Sequence, residues 1–225
     1  MSETVWRAGT VSGLGAARFR VATPIRTTDG GWFAEGWEAA LFVAGEPDVG
    51  RADDVVRAGL AFHQAVAGLP RPAFLDRRDD PCATGDRAAW EELTVRSGSA
   101  AAAELLRPLV GARRPVDLVS QAVHGDLLGN VLFADGQAPA VIDWSVYWRP
   151  PSWVSAVVIV DALCRHGAQP DLATRWSHLP EWGQMLVRAL ICRIVTDDVV
   201  LGANEWTPAR TGAYRLVVEL VIGLA

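Results

Sequence analysis

The chain has 225 residues, of which 50% are hydrophobic and 21% are charged, and its formal net charge is −5 at pH 7. These values predict one compact domain, or a small lobe beside a larger one, and exclude intrinsic disorder. Nucleic acid is not expected as a partner, because a general nucleic-acid-binding protein carries a basic face. An anionic small molecule is compatible with this charge, since a few placed cations suffice to bind phosphate.

The lysine and cysteine content excludes several kinds of catalytic and metal site. All 21 basic residues are Arg and none is Lys, which excludes Schiff-base catalysis and the phosphate-binding Lys of a P-loop. The three cysteines form no C-x-x-C pair, so we predict free thiols in a reducing compartment rather than a zinc site or disulfides. The longest apolar run, Val154 to Cys164, is interrupted by Asp161 and is too short to span a bilayer. We therefore expect a cytoplasmic protein without a membrane partner.

The first 45 residues predict short strands separated by turns. The candidate strands are Thr4–Ala8, Arg18–Ala22, Ile25–Thr28, Trp32–Ala34 and Trp37–Ala44. Asp29-Gly30-Gly31 is a strong turn signal, and Gly45-Glu46-Pro47-Asp48 predicts a break. We predict an N-terminal β lobe and hinge over residues 1–45, followed by a helical C-terminal lobe over residues 46–225.

Helical spacing of apolar residues predicts most of the remaining structure. The predicted helices before residue 120 are Val55–Leu69, Asp86–Arg96 and Ala100–Val110, with Thr84 or Asp86 as N-cap of the second. After Pro150-Pro151 the chain is predicted helical almost to its end. Between these helical regions, Val131–Phe133 and Ala140–Ile142 predict two strands joined by a turn at Asp135-Gly136. The predicted fold class is α+β.

The informative segment for chemistry surrounds that hairpin. His124-Gly125-Asp126 precedes it, Asn130 lies at its start, and Asp143 follows its second strand. Phosphoryl transfer needs a carboxylate to orient and deprotonate the acceptor hydroxyl, and hard oxygen ligands to hold magnesium at the phosphates. Asp126, Asn130 and Asp143 supply that set, and the hairpin would bring the two metal ligands to one edge.

This segment resembles a known family. H-G-D-x-x-x-N at residues 124–130, followed by a strand and I-D-W at 142–144, is similar to the catalytic and metal loops of aminoglycoside phosphotransferases and their choline- and homoserine-kinase-like relatives. The W-R-P segment at 148–150 looks closest to an actinobacterial subgroup of phosphotransferase-like proteins. The resemblance extends from about Phe19 to the C-terminus. It implies a protein-kinase-like, two-lobe fold with a truncated β-rich N-lobe and a mostly helical C-lobe.

The resemblance also implies ATP, Mg²⁺ and a small-molecule acceptor, and it assigns roles to residues. Asp126 would be the catalytic base, Asn130 and Asp143 the metal ligands, His124 a structural member of the loop, and Asp161 a brace for it. Phe42, Val43 and Ala44 would form the nucleotide hinge, and Trp144 or Trp148 would line the acceptor pocket. From the residues alone, His124 also fits a core histidine, Asp161 a solvent-facing or capping residue, and each Trp ordinary core packing.

The sequence departs from the family pattern in two places. Three residues rather than four separate Asp126 from Asn130, and Gly129 could absorb this shortening by a backbone conformation closed to other residues. The strand that carries the phosphate-binding Lys, and its partner helix, are missing. Replacements are conceivable: Gly9, Gly13 and Gly15 could form a phosphate loop or a plain turn, and Arg7, Arg18 or Arg20 could bind phosphate or be solvated surface residues.

Three functional interpretations follow. The first is an ATP-dependent transfer of the γ-phosphate to a small-molecule hydroxyl, with activity impaired by the missing lysine strand. The second is a catalytically degenerate, pseudokinase-like binding or regulatory module. The third is that the chain is a shortened form of a longer protein.

Overall fold

The computed structural model describes residues 2–14, 18–202 and 205–225. They form two compact units, each built from two stretches of chain: Met1–Arg77 with Ser120–Pro151 is unit 1, and Arg78–Val119 with Ser152–Ala225 is unit 2. This division does not coincide with the boundary predicted after residue 45, because residues 20–21 pair with residues 140–141 within unit 1. The functional division into two lobes stays a prediction.

Unit 1 holds the β structure. Its helices are α1 (Glu3–Val11), α2 (Ala52–Val66) and a short 3-10 helix (Ala73–Arg77); its strands are β1 (Arg20–Val21), β2 (Glu46–Pro47), β3 (Gln121–His124), β4 (Val131–Phe133), β5 (Ala140–Val141) and β6 (Val146–Arg149). One sheet has the order β1-β5-β4-β2, with β1 parallel to β5 and the other pairs antiparallel. β3 and β6 form a separate antiparallel pair. The predicted hairpin of β4 and β5 is confirmed, and β5 ends at Val141.

The predicted strand Thr4–Ala8 is wrong, because this segment lies in helix α1. Ser2 caps the helix by accepting a hydrogen bond from the Val5 amide, and Glu3 places negative charge in its first turn. Trp6 packs against Phe74 and against Trp144, with ring centroids 5.8 and 5.2 Å apart. The β propensity of Val5 and Trp6 is thus overridden by capping and by contacts distant in sequence.

Only part of the β structure predicted for residues 18–44 forms. β1 is shorter than predicted, and two isolated bridges, Pro24 with Ala40 and Ala34 with Trp37, form where three strands were predicted over residues 25–44. The predicted turn is confirmed: Gly30 has φ of 84°, and the Thr27 amide donates to Gly31 O. Many apolar side chains here face solvent, Trp37 being 80% and Phe42 92% exposed, so they supply little packing to fix regular strands. β2 also forms where a break was predicted.

The three helices predicted before residue 120 exist, but two are displaced. α2 begins and ends three residues earlier than predicted, at Ala52 and Val66. α3 covers Pro81–Ala89 instead of residues 86–96, because Asp80 caps it and Pro81 occupies its first turn. The predicted caps Thr84 and Asp86 lie inside this helix. α4 covers Ala100–Ala112, close to the prediction, with Ser99 as its cap.

Unit 2 is helical. It contains α3 and α4 together with α5 (Pro151–His166, apart from its first residue), α6 (Leu172–Arg175), α7 (Trp182–Leu201) and α8 (Pro208–Ile222). α7 is the central element, buried on most sides and packed against α3, α4 and α8. The predicted mixture of helices with a small β portion is confirmed. Among the described residues, no helix has both the length and the apolar character needed to cross a membrane.

Candidate active site

The loop from His124 to Asn130 begins where β3 ends. The Gly125 amide donates to Ser145 O over 2.9 Å, which extends the pairing of β3 with β6. Position 125 has room only for glycine, since a Cβ atom there would lie 2.3 Å from the Tyr147 ring. The loop backbone is therefore held against β6 by a contact that no larger residue permits.

His124 joins the two carboxylate-bearing segments. The Asp126 amide donates to His124 Nδ1 over 3.2 Å, so Nδ1 is the accepting nitrogen and Nε2 carries the proton. Nε2 then donates to Ile142 O, 2.9 Å away, in the residue before Asp143. The ring is fully buried, and burial lowers its pKa to about 4, although the Asp126 and Asp143 carboxylates act in the opposite direction. A neutral imidazole thus connects the loop of Asp126 to the strand end of Asp143.

His63 belongs to this arrangement, and the sequence reasoning assigned it no role. Its Nε2 accepts a hydrogen bond from the His124 amide over 3.1 Å, and Gln121 Nε2 donates to its carbonyl over 2.7 Å. Burial, followed by the proximity of His124, lowers the pKa of His63 to about 3. The available signal was a histidine on the apolar face of α2, beside the buried Phe62 and Val66.

Asn130 closes the loop. Its side-chain nitrogen donates to Asp126 O over 2.7 Å, so the amide oxygen is the atom that would ligate a metal. Gly129 has φ of 93°, which confirms the expected left-handed conformation in the shortened loop. Leu127, 1% exposed, anchors the loop on α2, where a Cβ atom at Gly59 would lie 2.4 Å from the Leu127 side chain.

The β4–β5 hairpin places Asp143 near Asn130. The Ile142 amide donates to Asn130 O over 3.0 Å, immediately beyond the pairing of Val131 with Val141. Asp143 follows in a left-handed backbone conformation, with φ of 47°, and its side chain is exposed. A non-glycine residue at positive φ is uncommon and is found where the surrounding structure imposes it. The predicted set Asp126, Asn130 and Asp143 is therefore gathered along one edge of unit 1.

A cavity of about 280 Å³ opens beside Asp143 within unit 1. Its lining residues come from α1, from Val21, Ala22 and Pro24, from residues 38–40, from α2 and from residues 141–144. Arg7 is the one basic residue among the described lining residues, and it forms an ion pair with Glu38 at 2.6 Å. Two carboxylates, a cation and an apolar wall thus meet in a space of small-molecule size.

Of the two residues predicted to line an acceptor pocket, Trp144 lines the cavity and Trp148 does not. Trp144 lines the cavity and is also a core residue: it is 3% exposed, its indole nitrogen donates to Val123 O over 3.0 Å, and its ring packs on Phe62. Trp148 lies half-buried on β6 opposite Ala122. Roles of both in acceptor binding stay predictions.

Among the described residues that line the cavity are Ala39 and Ala40, but not the predicted hinge residues 42–44. Phe42 is exposed, Val43 is half-buried, and Ala44 O accepts a hydrogen bond from Arg20 over 2.9 Å. A hinge role of residues 42–44 stays a prediction.

Asp161 lies in unit 2 on α5. It is 4% exposed, which contradicts the solvent-facing alternative, and both its carboxylate oxygens accept from Arg193 Nε at 3.0 and 3.1 Å. It therefore serves as the anion of a buried ion pair between α5 and α7. Its predicted role as a brace of the Asp126 loop stays untested.

The glycines and arginines that were considered as phosphate-binding residues differ in their positions in the fold. Gly9 lies inside α1 and Gly13 in the turn after it, while Gly15 falls outside the described residues. Arg20 donates to Ala138 O over 2.8 Å and to Ala44 O over 2.9 Å, so two backbone carbonyls already bind its guanidinium. Arg7 alone of the three candidate arginines lines the cavity beside Asp143.

The donor set fits magnesium. Mg²⁺ is commonly held by one or two protein carboxylate or amide oxygens with phosphate oxygens and water completing the octahedron. The Asp143 carboxylate and the Asn130 amide oxygen are donors of that kind at neighbouring positions. No group of three or more His, Cys, Asp or Glu side chains placed to hold a metal occurs in the part of the chain that the structure describes.

Comparison with solved structures identifies the fold. A thermostable mutant of aminoglycoside phosphotransferase APH(4)-Ia, in ternary complex with AMP-PNP and hygromycin B, matches with a TM-score of 0.59 and 16% identity over 95% of this chain and 81% of that one. Spectinomycin phosphotransferase APH(9)-Ia with ADP and spectinomycin matches with a TM-score of 0.53 and 15% identity, over 96% and 80%. Its AMP-bound complex gives 0.56 and 18%, over 98% and 84%.

These likenesses confirm the predicted protein-kinase-like, aminoglycoside-phosphotransferase-like fold. At such identities they establish fold and not substrate. No protein-family model matches the chain. No curated protein matches it either.

Proposed function

We propose that this protein is an ATP-dependent phosphotransferase of the aminoglycoside-phosphotransferase-like family, which transfers the γ-phosphate to a hydroxyl group of a small molecule. The observation that carries the proposal is the joining of Asp126, Asn130 and Asp143 through His124 and the β4–β5 hairpin; of the three, Asp143 lines the cavity in unit 1. Support also comes from the fold shared with phosphotransferases that bind AMP-PNP, ADP or AMP.

The chemistry assigns one task to each residue. Asp126 accepts a hydrogen bond from the acceptor hydroxyl and takes its proton as the oxygen attacks the γ-phosphorus. The bond from the γ-phosphorus to the bridging oxygen breaks, and ADP leaves with the electron pair. Asn130 and Asp143 would hold Mg²⁺, which when bound would neutralise charge on the phosphates. His124 and His63 stay neutral and fix the loop.

The finer parts of the proposal concern family, location and efficiency. The W-R-P segment at 148–150 supports the actinobacterial subgroup, and a cytoplasmic location would provide ATP and magnesium. Without a lysine in the chain, transition-state charge must be stabilised by other groups, and we expect slow turnover. The same observation favours a second candidate, a binding or regulatory module that holds nucleotide without transferring phosphate.

Calorimetric titration with ATP, with and without magnesium, tests the proposal. We expect magnesium-dependent binding in the wild type, loss of that dependence in Asp143→Ala, and no change in Asp135→Ala, which alters an exposed carboxylate at the far turn of the same hairpin. In the presence of an accepted alcohol, Asp126→Asn should lower turnover roughly 10²- to 10⁴-fold while nucleotide binding persists.

Each outcome separates the candidates. Absence of nucleotide binding would contradict both of them. Binding without phosphate transfer to any alcohol would favour the regulatory module. Unchanged turnover in Asp126→Asn would refute the assigned base.

A further inference from the structure

Arg7 lies in the cavity of unit 1 that the proposed metal ligand Asp143 also lines. Among the described lining residues it is the one cation, and Asp143 lines the same cavity. Helix α1 is held in place by its buried Trp6, and the Arg7 side chain keeps 21% of its surface exposed. The guanidinium is thus fixed by the fold but open to a ligand.

The contacts of Arg7 leave it able to bind an anion. Nη2 donates to Glu38 Oε1 over 2.6 Å, and Nη1 donates to Trp144 O over a long 3.5 Å. Trp144 is the residue after Asp143, so the guanidinium lies beside the segment that carries the metal-ligand carboxylate. A guanidinium has five N–H donors, and these two bonds use two of them.

Glu38 is a partner that phosphate can displace. Its side chain is 50% exposed, and an ion pair so open to water contributes little to stability. A phosphate oxygen pair matches the fork of a guanidinium and carries more charge than one carboxylate. Exchange of Glu38 for phosphate is therefore favoured once a nucleotide occupies the cavity.

The charge balance points in the same direction. Arg7 and Asp143 line one cavity, and hydrogen bonds through His124 join the Asp126 loop to the residue before Asp143. Two carboxylates there repel an incoming polyphosphate, and a metal ion offsets only part of that repulsion. A permanent cation in the same cavity completes the compensation.

We propose that Arg7 is the phosphate-binding cation of this site, held by Glu38 in the free protein and transferred to a nucleotide phosphate on binding. This inference rests on the proposed function. It assigns to helix α1 a ligand-binding role and makes Glu38 a competitor of the nucleotide.

A purely structural ion pair would behave differently. If Arg7 and Glu38 merely joined α1 to residues 38–40, removal of either partner would loosen the same contact, and both changes would weaken binding or stability alike. The phosphate-binding role instead predicts opposite effects for the two partners, because Glu38 competes with the ligand for Arg7.

The test is calorimetric titration of the full chain with ADP and with adenosine, both in magnesium. We expect Arg7→Gln to weaken ADP binding about 10- to 100-fold, the loss expected for a hydrogen bond between charged groups, and to leave adenosine binding unchanged. Arg7→Lys should recover part of the ADP affinity, and Glu38→Gln should tighten ADP binding severalfold. Arg57→Gln is the matched control: it removes an exposed arginine of α2 that pairs with Asp54, outside this cavity lining, and should have no effect.

The outcomes distinguish this inference from the proposed function. If the wild type binds neither ligand, both fall. If the wild type binds ADP with magnesium and Arg7→Gln binds it equally well, the inference about Arg7 is overturned and the proposed function stands. A parallel loss of adenosine and ADP affinity, or weaker ADP binding in Glu38→Gln, also overturns it by showing a structural ion pair. Thermal unfolding of each variant establishes that the compared proteins are folded.

Discussion

At the scale of single residues, the candidate active site depends on close packing around the loop from His124 to Asn130. Gly125 shows this most directly, because the Tyr147 ring occupies the space of a side chain at that position. The flanking residues His124 and Asp126 are fixed by their hydrogen bonds. The sequence identified His124, Gly125 and Asp126 as a motif, but the partner ring of Gly125 was visible only in the structure.

Substitution of Gly125 by Ala should therefore displace the loop. The added Cβ atom would meet Tyr147 Cδ2 at 2.3 Å, and overpacking of this kind costs about 1–3 kcal/mol. Urea denaturation should show that loss, and magnesium–ATP affinity should fall with it. Gly68→Ala is the control, since a Cβ atom there meets nothing within 4 Å. Tyr147→Ala should lessen the effect in the double variant, and equal losses in both backgrounds would refute the steric explanation.

At the scale of helices and strands, local sequence signals predicted that an element exists better than they predicted where it begins and ends. The periodic pattern of α2 and the turn at Asp29-Gly30-Gly31 were predicted because neighbouring residues define them. The helix start at Asp80 was placed too late, at residue 84 or 86, although Asp is a common N-cap and Pro a common first residue of a helix. Helix α1 was predicted as a strand because its stabilising partners, Phe74 and Trp144, are remote in sequence.

The packing of α3 on α7 gives an element-scale prediction. At Gly85 of α3, a Cβ atom would lie 2.2 Å from Thr196 Oγ1 and 2.5 Å from the Cys192 carbonyl oxygen, so the helices touch almost backbone to backbone. Gly85→Ala should lower the free energy of unfolding by about 2 kcal/mol or more. Gly111→Ala in α4, where nothing lies within 4 Å, should raise it by up to about 1 kcal/mol, because Ala is the better helix former. Denaturant titrations of both variants would contradict the packing if the two shifts had the same sign.

At the scale of the whole molecule, each compact unit is assembled from two separate stretches of the chain. No single cut of the sequence yields either unit complete, so local patterns could not reveal the division. Unit 1 nevertheless contains Asp126, Asn130, Asp143, Arg7 and Glu38 together. The proposed nucleotide site thus lies within unit 1 and is formed by residues from both stretches of chain in that unit.

The two buried histidines predict how stability of the whole chain depends on pH. The pKa of His63 is lowered to about 3 and that of His124 to about 4, both from 6.5 and both chiefly by burial. Below pH 6.5 these histidines become protonated in the unfolded chain, whereas in the folded chain they stay neutral down to about pH 4 and pH 3. The free energy of unfolding is therefore unaffected by them above pH 6.5 and falls as the pH decreases below that value. The loss approaches about 1.4 kcal/mol per pH unit for each histidine.

Denaturant unfolding between pH 7 and pH 5 measures this dependence. We expect His63→Gln to reduce the slope by roughly the share of one histidine. His178→Gln changes an exposed histidine of unit 2 and should keep the wild-type slope. A slope that is the same in His63→Gln as in the wild type would contradict the assignment of a neutral, buried His63.

Local sequence was enough to predict the α+β class, the β4–β5 hairpin and the candidate set Asp126, Asn130 and Asp143, because these residues lie on one short loop and hairpin whose geometry is locally encoded. Three features became apparent from the folded structure alone: α1 is a helix, His63 accepts a hydrogen bond from His124, and Arg7 and Glu38 meet beside Asp143. Those contacts join positions far apart along the chain. They arise from packing and burial, whose partners cannot be identified from local propensity.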